Sequence, residues 1–508
     1  MINKHFQAQF ADPTRSPVQP DPSPRPLRNL ITATELCIAF NRLRNGRAVG
    51  PDAIPAELLK YGAATLATPL ADILNHGLQT GDDVHLGEGI LLGLLKPNKP
   101  AGQCASLRPI VLLNSIRKAI ALVVLRRITP KVATFLSPHQ SGFRPRRSTA
   151  DAVWAHRWIA ARAQRYRERF YILGIDLSRA FDTVHRDKPL SVLTDILDDD
   201  EIRLSRLLLQ RTTLSLRNGR HTLDPFKSNT DTPQGDSLSP VIFVVYLEAA
   251  LRDVAAQFDA LHQLLKDMIV YADDADFVCP DPAIAEKVHA EAPAILARWS
   301  LVMNTSKTEH TTVHRALHAS MNCTDRAKEE TWHNTRKLGS LLGDAEDVSR
   351  RMSLATAALH LMWKVVGVAY PDVISNDELY ERTGTKPLRY RLLERRWTLL
   401  GQILRLSMTT PDLPAYRYME AYFAPSQNPK FRGHQRTTLP VVLDADLRTL
   451  PDNYRLRRAA DLLRCHAEDP KEWRQLIQSL LAYTPSEERD PTYAIATLAR
   501  RLNQMTLN

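Results

Sequence analysis

Two adjacent carboxylates, Asp273 and Asp274, form the stretch of the chain best suited to chemistry. Apolar residues 268–270 and Tyr271 precede them and the mainly apolar run 275–278 follows, so the pattern predicts a strand, a tight turn and a second strand. Adjacent carboxylates repel each other unless a cation lies nearby. Oxygen ligands on a rigid hairpin suit Mg²⁺, which takes one or two carboxylates together with waters and substrate phosphates. A solvated acidic turn is the common alternative for an isolated Asp-Asp pair.

A second carboxylate, Asp176, follows the apolar run 171–175 and precedes Ser178, which could start a helix. Open α/β sheets place chemistry at such a strand end, although a single Asp there is often only a helix cap. If the strands that carry Asp176 and Asp273 are neighbours, the two carboxylates converge. They could then hold two divalent ions, which is the arrangement used for in-line phosphoryl displacement.

Other motifs accompany these carboxylates in a fixed order along roughly residues 45–345. They are Gly50-Pro51-Asp52, Arg108-Pro109-Ile110, Gln140-Ser141-Gly142-Phe143-Arg144, Pro233-Gln234-Gly235, Asn304-Thr305-Ser306-Lys307 and Lys337-Leu338-Gly339. Each motif is weak alone, but the ordered set resembles reverse transcriptases of the non-LTR retrotransposon (LINE-like) type. The resemblance implies an α+β, right-hand polymerase fold with fingers, a palm containing an antiparallel sheet, and a helical thumb. A helical C-terminal region would follow the thumb.

The resemblance implies a metal site. Asp176 and Asp273 match the principal ligands of two Mg²⁺ ions, with Mn²⁺ as an alternative metal, and Asp274 matches a weaker or indirect ligand. Lys307 matches the lysine proposed in polymerases to protonate the leaving pyrophosphate, which would be general-acid catalysis. An exposed surface lysine is the alternative interpretation of Lys307.

The resemblance also implies a nucleotide site next to the metal site. Arg108 matches the family arginine that holds the triphosphate, with Lys96 as its partner and Lys99 as the alternative. Phe181, five residues after Asp176, matches the aromatic residue under the incoming sugar, where its ring would exclude a 2′-hydroxyl group. An ordinary core aromatic is the alternative for Phe181.

The loop that carries Gln234 and Gly235 matches the surface on which the templating base pair rests. Glycine would let the backbone approach the nucleic acid closely. A plain turn is the commoner use of a Pro-Gln-Gly tripeptide.

Two basic segments are candidates for nucleic-acid contacts. The first is the loop with Arg144, Arg146 and Arg147, which in the family lies along the template; a solvated run of charge is the alternative. The second is a helix expected after Pro387, on which the candidate residues are Arg389, Arg395 and Arg396. Such a helix should bind a phosphate backbone in a salt-dependent way.

Length and composition agree with this interpretation. The chain has 508 residues, enough for about three domains, and its formal net charge of +11 favours nucleic acid or an anionic surface as a partner. No run of 18 apolar residues occurs, which argues against a transmembrane helix. The five cysteines are scattered, so a reducing intracellular compartment is expected, the nucleus for a retrotransposon enzyme.

The predicted organisation follows the resemblance and the local patterns. Proline-rich residues 1–28 suggest a disordered arm, and Thr32 or Thr34 caps a following helix. Apolar spacing predicts helices over 116–128 and 283–299. The predicted parts are the arm (1–28), fingers (29–165), the palm or catalytic core (166–315), a thumb-like helical region (316–410) and a helical region of unknown function (411–508).

The expected partners are an RNA template, a DNA primer or target, and deoxynucleoside triphosphates, without a membrane. No endonuclease domain is evident, so it would lie on another part of the element product or be missing. Three alternatives remain open at this point: a group II intron-type reverse transcriptase, a viral RNA-dependent RNA polymerase, and an inactive or repurposed nucleic-acid-binding remnant of a retroelement.

Overall fold

The structure is a computed structural model that describes residues 2–483, apart from 16–17, 19–24, 98, 179, 182–183, 220, 231–234, 258–266, 317–321, 367–375, 385, 432–436 and 452–455. The chain divides into two compact units. One contains residues 1–152 and 170–312, and the other contains 153–169 and 313–508. The predicted fingers and palm therefore share most of one unit, and the predicted thumb and C-terminal region share the other.

Helices dominate both units. In chain order they are α1 (Ile2–Phe10), α2 (Ala33–Arg42), α3 (Ala56–Tyr61), α4 (Ala63–Thr80), α5 (Ser115–Phe135), α6 (Thr149–Tyr166), α7 (Asp187–Thr194), α8 (Asp199–Leu209), α9 (Ser239–Ala256), α10 (Pro282–Arg298), α11 (Cys323–Glu329), α12 (Asp344–Val366), α13 (Asn376–Thr383), α14 (Leu388–Thr409), α15 (Pro414–Phe423), α16 (Leu439–Leu447), α17 (Leu456–Glu468) and α18 (Pro470–Tyr483). The helices predicted from apolar spacing are confirmed as α5 and α10. The helix predicted after Pro387 is confirmed as α14. Within the described residues, no helix is both long enough and apolar enough to cross a membrane.

The strands in chain order are β1 (Glu88–Leu95), β2 (Leu107–Leu113), β3 (Phe170–Ile175), β4 (Leu177–Ser178), β5 (Thr213–Asn218), β6 (His221–Thr222), β7 (Phe226–Lys227), β8 (Met268–Tyr271), β9 (Asp274–Cys279), β10 (Val302–Met303), β11 (Glu309–Val313), β12 (Arg336–Lys337) and β13 (Ser340–Leu341). Ser178 lies in β4, so the helix expected to start there does not form. β4 instead pairs with β10.

Two sheets form the frame of the first unit, as far as the described residues show. One sheet has the order β11-β3-β9-β8, and β9 pairs antiparallel with both of its neighbours, β3 and β8. The other has the order β2-β1-β5-β6, with β7 also paired to β5. Alternate residues of β9, namely Ala275, Phe277 and Cys279, point into the main hydrophobic core, to which α9 and α10 contribute. Asp274 and Asp276 are on the other face of β9.

The structure corrects the sequence prediction for the N-terminal residues. Residues 2–10 form helix α1, and its Phe6 and Phe10 are fully buried in a small core with Leu91 and Val111. A spacing of four residues puts both rings on one helical face. The prediction of disorder over residues 1–28 is therefore wrong for this stretch, because the prolines begin only at Pro13 and leave the first nine helical residues intact.

In the second unit, α14 packs against the helices that follow it. Trp397 is fully buried, and the Trp473 indole donates a hydrogen bond to the Trp397 carbonyl at 2.8 Å. Gly401 leaves room for that indole, since a Cβ there would meet Trp473 Nε1 at 2.2 Å. The predicted boundary at residue 410 therefore falls inside one packed group of helices.

Residues 153–169, assigned by sequence to the fingers and the start of the palm, also belong to the second unit. The reason lies in aromatic packing within that unit. Trp158 is fully buried, with its ring 5.2 Å from that of Tyr422 and 5.9 Å from that of Phe423. These contacts join chain segments more than 250 residues apart, so the sequence pattern gives no local sign of them.

Candidate active site

The acidic hairpin forms as the sequence predicts. β8 and β9 pair antiparallel with Tyr271 opposite Asp274, which leaves Ala272 and Asp273 as a two-residue turn. Ala272 takes a positive φ of 58°, as tight hairpin turns require. Asp273 therefore lies at the tip of a rigid hairpin, directly beside Asp274.

Asp176 lies at the same end of this sheet. β3 is the antiparallel neighbour of β9, and the last pair of the register is Ile175 with Ala275. One further step along that register places Asp176 opposite Asp274. Burial raises the pKa of Asp273, and the negative charge of Asp176 raises it further. The Asp176 carboxylate is thus close enough to oppose the ionisation of Asp273.

Lys307 is brought to Asp176 by the chain that follows β10. The Asn304 N–H donates to the Asp176 carbonyl at 2.8 Å, and the Lys307 N–H donates to the Asn304 carbonyl at 3.0 Å. The Lys307 Nζ consequently lies 4.0 Å from Asp176 Oδ2. Because its side chain is 71% exposed, this ion pair contributes little to stability, and Lys307 remains accessible for a role in chemistry.

The donor set suits a hard divalent cation that arrives with substrate. Among the described residues, no three His, Cys, Asp or Glu side chains form a group able to hold a metal by themselves. Mg²⁺ does not need such a group, since it accepts one or two carboxylates and fills its other positions with waters and phosphate oxygens. The charge repulsion at Asp273 is relieved when a cation sits between the carboxylates.

Phe181 lies half-buried in an aromatic stack. Its ring centroid is 4.1 Å from that of Phe243, which is fully buried in α9. The ring of Phe143 meets Phe181 nearly at right angles, with centroids 6.4 Å apart. The Phe181 ring is therefore fixed in orientation without being enclosed in the core.

Gly235 packs against the second sheet. Its φ of 136° suits glycine, and a Cβ there would lie 2.3 Å from the Val111 carbonyl oxygen of β2. Arg108 is exposed on the same strand, and Lys96 follows β1, where its Nζ donates to the Ala105 carbonyl at 3.2 Å. Gln234 lies outside the described residues.

Arg144 makes several hydrogen bonds within its own loop. Its guanidinium donates to the carbonyls of Ser137 at 2.6 Å, Ala133 at 3.2 Å and Gln140 at 3.3 Å. Burial lowers the pKa of Arg144. This side chain stabilises the end of α5 and the loop beyond it, and its contact with a template stays a prediction.

The other two arginines of that basic loop differ in burial. Burial lowers the pKa of Arg147 to about 10, with the charge of Arg144 as a smaller cause. Arg146 is exposed and has a φ of 61°. Of the three arginines predicted to contact nucleic acid, Arg146 is exposed, and Arg144 and Arg147 are partly buried.

The three candidate arginines of α14 also differ in their surroundings. Arg396 forms an ion pair with Asp446 at 2.6 Å, and the Trp397 indole donates to the same carboxylate at 2.8 Å. Arg389 and Arg395 are exposed. Arg396 therefore joins α14 to α16, and the two exposed arginines remain the candidates for a phosphate backbone.

A buried ion pair behind the site was missed from the sequence. Arg117 is 0% exposed, and its guanidinium donates to the Leu86 carbonyl at 2.9 Å and lies 3.5 Å from Asp236 Oδ2. Burial lowers the pKa of Arg117, and Asp236 opposes that shift. Asp236 directly follows Gly235, so the pair fixes the loop that Gly235 places on β2. Lys118 follows Arg117 directly and further basic residues lie on the same helix, so no local signal marked Arg117 as the buried one.

Gln140 was also missed as a site residue, although its motif was noticed. Its side-chain amide is buried against the turn that carries Asp273, with Oε1 accepting from the Ala272 N–H at 2.9 Å. A polar residue next to the Gly-Phe pair gave no indication of its partner, because the contact spans 132 residues.

Comparison with known sequences gives one family and several relatives. The family described as "Reverse transcriptase (RNA-dependent DNA polymerase)" matches residues 95–343. The Drosophila melanogaster protein "Probable RNA-directed DNA polymerase from transposon BS" is 28% identical over 160 residues, which are 31% of this chain and 17% of that protein. Its counterpart from transposon X-element is 28% identical over 162 residues, 31% of this chain and 18% of that protein.

A Xenopus laevis relative, "Transposon TX1 uncharacterized 149 kDa protein", is 24% identical over 286 residues, 54% of this chain and 22% of that protein. The chain thus spans about a fifth of the length of these curated relatives.

Among solved structures, two yeast telomerases are similar to the chain. Apo telomerase from Candida tropicalis, truncated from its C-terminal domain, is 12% identical with a TM-score of 0.34, covering 47% of this chain and 52% of that chain. Telomerase from Candida albicans, in complex with the TWJ fragment of telomeric RNA, is 13% identical with a TM-score of 0.39, covering 73% of this chain and 67% of that chain.

Proposed function

Because residues 95–343 belong to the reverse transcriptase family and are of the non-LTR retrotransposon type, we propose that this chain extends a DNA 3′-hydroxyl on an RNA template. Its substrates would be deoxynucleoside triphosphates, and its partners an RNA template and a DNA primer or target. Reverse transcriptases generally use divalent metal ions. They also act on nucleic acids, and the chain's net charge of +11 favours binding of such polyanions.

The pairing of β3 with β9 is the observation that carries the proposal. It brings together two carboxylates that are almost a hundred residues apart in sequence, at one end of a sheet. A structural pair of this kind, without a cation, would only destabilise the fold. An active site that receives a metal with its substrate gives the arrangement a purpose.

Asp176 and Asp273 are the residues that would hold two divalent cations, with Asp274 as a weaker or indirect ligand. Mg²⁺ is the expected ion and Mn²⁺ the alternative. Bound there, the cations would neutralise charge on the attacking and leaving oxygens during nucleotidyl transfer. Burial and the charge of Asp176 raise the pKa of Asp273 and so disfavour its ionised form, the one that would bind metal. A cation bound there would offset that effect.

The remaining residues would position the nucleotide and move one proton. Lys307 lies 4.0 Å from Asp176, where it could protonate pyrophosphate as it leaves. Arg108, and Lys96 beside it in the hairpin of β1 and β2, would bind phosphate oxygens. Phe181 would contact the sugar and exclude a 2′-hydroxyl, and the loop with Gln234 and Gly235 would support the templating base pair. Catalysis would come mainly from positioning and charge stabilisation.

Primer extension tests the proposal. We expect the wild-type chain with Mg²⁺ to extend oligo(dT) on poly(rA) with dTTP, and Asp273→Asn to bind the same primer–template without extending it. Asp281→Asn is the matched control, because Asp281 caps α10 beyond the opposite end of β9 from the turn and asparagine also caps helices.

Normal extension by Asp273→Asn would show that the metal assignment is wrong. If wild type binds the primer–template in a salt-sensitive way but never extends it, the chain is a nucleic-acid-binding remnant and not an active polymerase. Incorporation of UTP in preference to dTTP would favour the RNA polymerase alternative.

A further inference from the structure

We propose that residues 140–143 form a brace that sets the geometry of both halves of the active site. In this proposal Gln140 positions Asp273 through the backbone of Ala272, and Phe143 positions the ring of Phe181. Neither residue would contact the metal ions or the phosphates of the substrate, so both are positioning residues. The inference rests on the proposed polymerase function.

The Gln140 side chain clamps the metal-binding turn from both sides. Its Oε1 accepts hydrogen bonds from the Ala272 N–H at 2.9 Å and the Gly142 N–H at 2.7 Å. Its Nε2 donates to the Ala272 carbonyl at 3.2 Å. Gln140 is 1% exposed, so these bonds form away from water, where each unpaired group would be costly. Both backbone polar groups of the residue before Asp273 are thus satisfied by one side chain.

The backbone of the brace runs alongside the same hairpin. The Val270 N–H donates to the His139 carbonyl at 3.1 Å, and the Ser141 N–H donates to the Val270 carbonyl at 2.8 Å. Gly142 allows the closest approach, since a Cβ there would lie 2.3 Å from the Ala272 nitrogen. Among the described residues, the brace is therefore a second partner of β8, on the side away from β9.

The turn needs such support because of its backbone conformation. Ala272 has a positive φ of 58°, which is unfavourable for any residue with a Cβ. The Gln140 bonds oppose this strain by holding the peptide groups on either side of Ala272.

Phe143 extends the brace to the sugar side of the site. It is 45% exposed and has a φ of 54°, a combination that is uncommon for a bulky residue and that a surface position alone does not explain. Its ring edge meets Phe181, whose other face lies on Phe243. Phe181 is thus held between a buried ring and an exposed one, and only the exposed ring belongs to the brace.

Different consequences follow for the two residues. Loss of the Gln140 clamp should slow the chemical step without weakening primer–template binding, because the turn carries metal-binding groups and no predicted nucleic-acid contact. Loss of the Phe143 ring should let Phe181 move and weaken discrimination against ribonucleotides. A purely structural role for either residue would lower stability and leave these kinetic ratios unchanged.

The test compares Gln140→Met and Gln140→Glu with wild type. Methionine keeps the volume and removes all three hydrogen bonds, whereas glutamate keeps the acceptor for the two N–H groups and loses only the donor to the Ala272 carbonyl. Ser137→Ala is the matched control, since it removes one hydrogen bond, 3.0 Å to Glu248, from the same loop without touching the turn. Single-turnover dTMP incorporation, the dTTP concentration at half-maximal rate and the Kd for primer–template are measured for each.

We expect Gln140→Met to lower the single-turnover rate by about 10- to 100-fold, the usual effect of misplacing a reacting group by up to 1 Å, with an unchanged primer–template Kd. Gln140→Glu should fall between Met and wild type, and Ser137→Ala should match wild type. Hydrogen–deuterium exchange of the peptide spanning 268–276, measured without metal or substrate, should be faster in Gln140→Met and unchanged in Ser137→Ala. This readout does not depend on catalysis.

The sugar side is tested by the ratio of dTTP to UTP incorporation. We expect Phe143→Leu to lower that ratio by about tenfold, the scale of a changed hydrophobic contact in a specificity pocket, with Phe135→Leu as an aromatic control on α5. If Gln140→Met matches Ser137→Ala in incorporation rate and in hydrogen–deuterium exchange, the proposed role of Gln140 is wrong. If Phe143→Leu leaves the ratio of dTTP to UTP incorporation unchanged, the proposed role of Phe143 in positioning Phe181 is wrong. Both results leave the proposed function standing if wild type extends, whereas absence of wild-type extension removes the function and the inference together.

Discussion

Gly142→Ala is the substitution whose effect follows most directly from the coordinates. The new Cβ would lie 2.3 Å from the Ala272 nitrogen, 2.9 Å from the Ala272 Cα and 2.9 Å from Gln140 Oε1. Two of these three atoms are backbone, and the third is held by hydrogen bonds on both sides. No flexible side chain can move aside, so the two chain segments must separate.

The size of that separation sets the expected magnitude. Non-bonded heavy atoms reach favourable contact at roughly 3.5 Å, so the Gly142 segment and the turn must move apart by about 1 Å. Overpacking of this kind typically costs about 1–3 kcal/mol of folding free energy. If the turn takes half or more of the shift, Asp273 moves by about 0.5–1 Å, and the rate of nucleotide incorporation should fall by about 10- to 100-fold.

The assay is single-turnover dTMP incorporation beside a thermal melt. Gly219→Ala is the control, because Gly219 has a φ of 62° and no atom lies within 4 Å of the position that its new Cβ would take. It should lower the melting temperature through backbone strain while leaving incorporation intact. Gly142→Ala with wild-type incorporation and a lowered melting temperature would refute the reasoning, since it would mean that the turn keeps its geometry when the brace moves.

Three further predictions concern other parts of the chain. Phe181→Val should raise UTP incorporation relative to dTTP by about 10- to 100-fold, and unchanged discrimination would remove the steric role of that ring. Arg127 holds the pKa of Glu35 down to about 2, so this pair stabilises the fold fully above pH 4.5 and progressively less as the pH falls toward 2. Glu35→Gln should therefore cost about 1–2 kcal/mol at pH 7, allowing for solvent screening, and the difference in melting temperature from wild type should shrink by pH 3. Arg395→Ala should reduce the slope of log K against log salt by about 1, whereas Arg396→Ala should lower the melting temperature and leave that slope unchanged.

Local patterns in the sequence predicted the elements that carry the chemistry. The hairpin was predicted from two apolar runs around a pair of carboxylates, α5 from apolar spacing, and α14 from its position after Pro387. The sequence left Thr32 and Thr34 open as the cap of the helix that follows, and the structure shows Thr32 in a capping box with Glu35. These predictions succeeded because each depends on residues a few positions apart.

The features that the sequence did not predict share the opposite property. Arg144 was a candidate for nucleic-acid contact from the family resemblance and Arg396 from its basic helix, and each guanidinium is also bound inside its own unit, by carbonyls or by Asp446. The N-terminal residues were assigned to disorder because of the prolines that follow, although Phe6 and Phe10 find a buried position on the β1–β2 sheet. In each case the deciding partner lies about 50 or more residues away, or is a backbone group that sequence composition does not reveal.

The types of the candidate site residues could be taken from the amino-acid sequence: the carboxylates at two strand ends, the aromatic residue five positions after Asp176, and the lysine that follows β10. Those identities and spacings are properties of the covalent chain, and so is the order of motifs that identifies the family. The folded structure was needed to show that β3 and β9 are neighbours, that Gln140 holds the turn beneath Asp273, and that Phe143 meets Phe181. Each of these contacts closes a loop of dozens to more than a hundred residues, and loop closure is selected by the burial and hydrogen bonding of the whole unit, which no short stretch of sequence encodes.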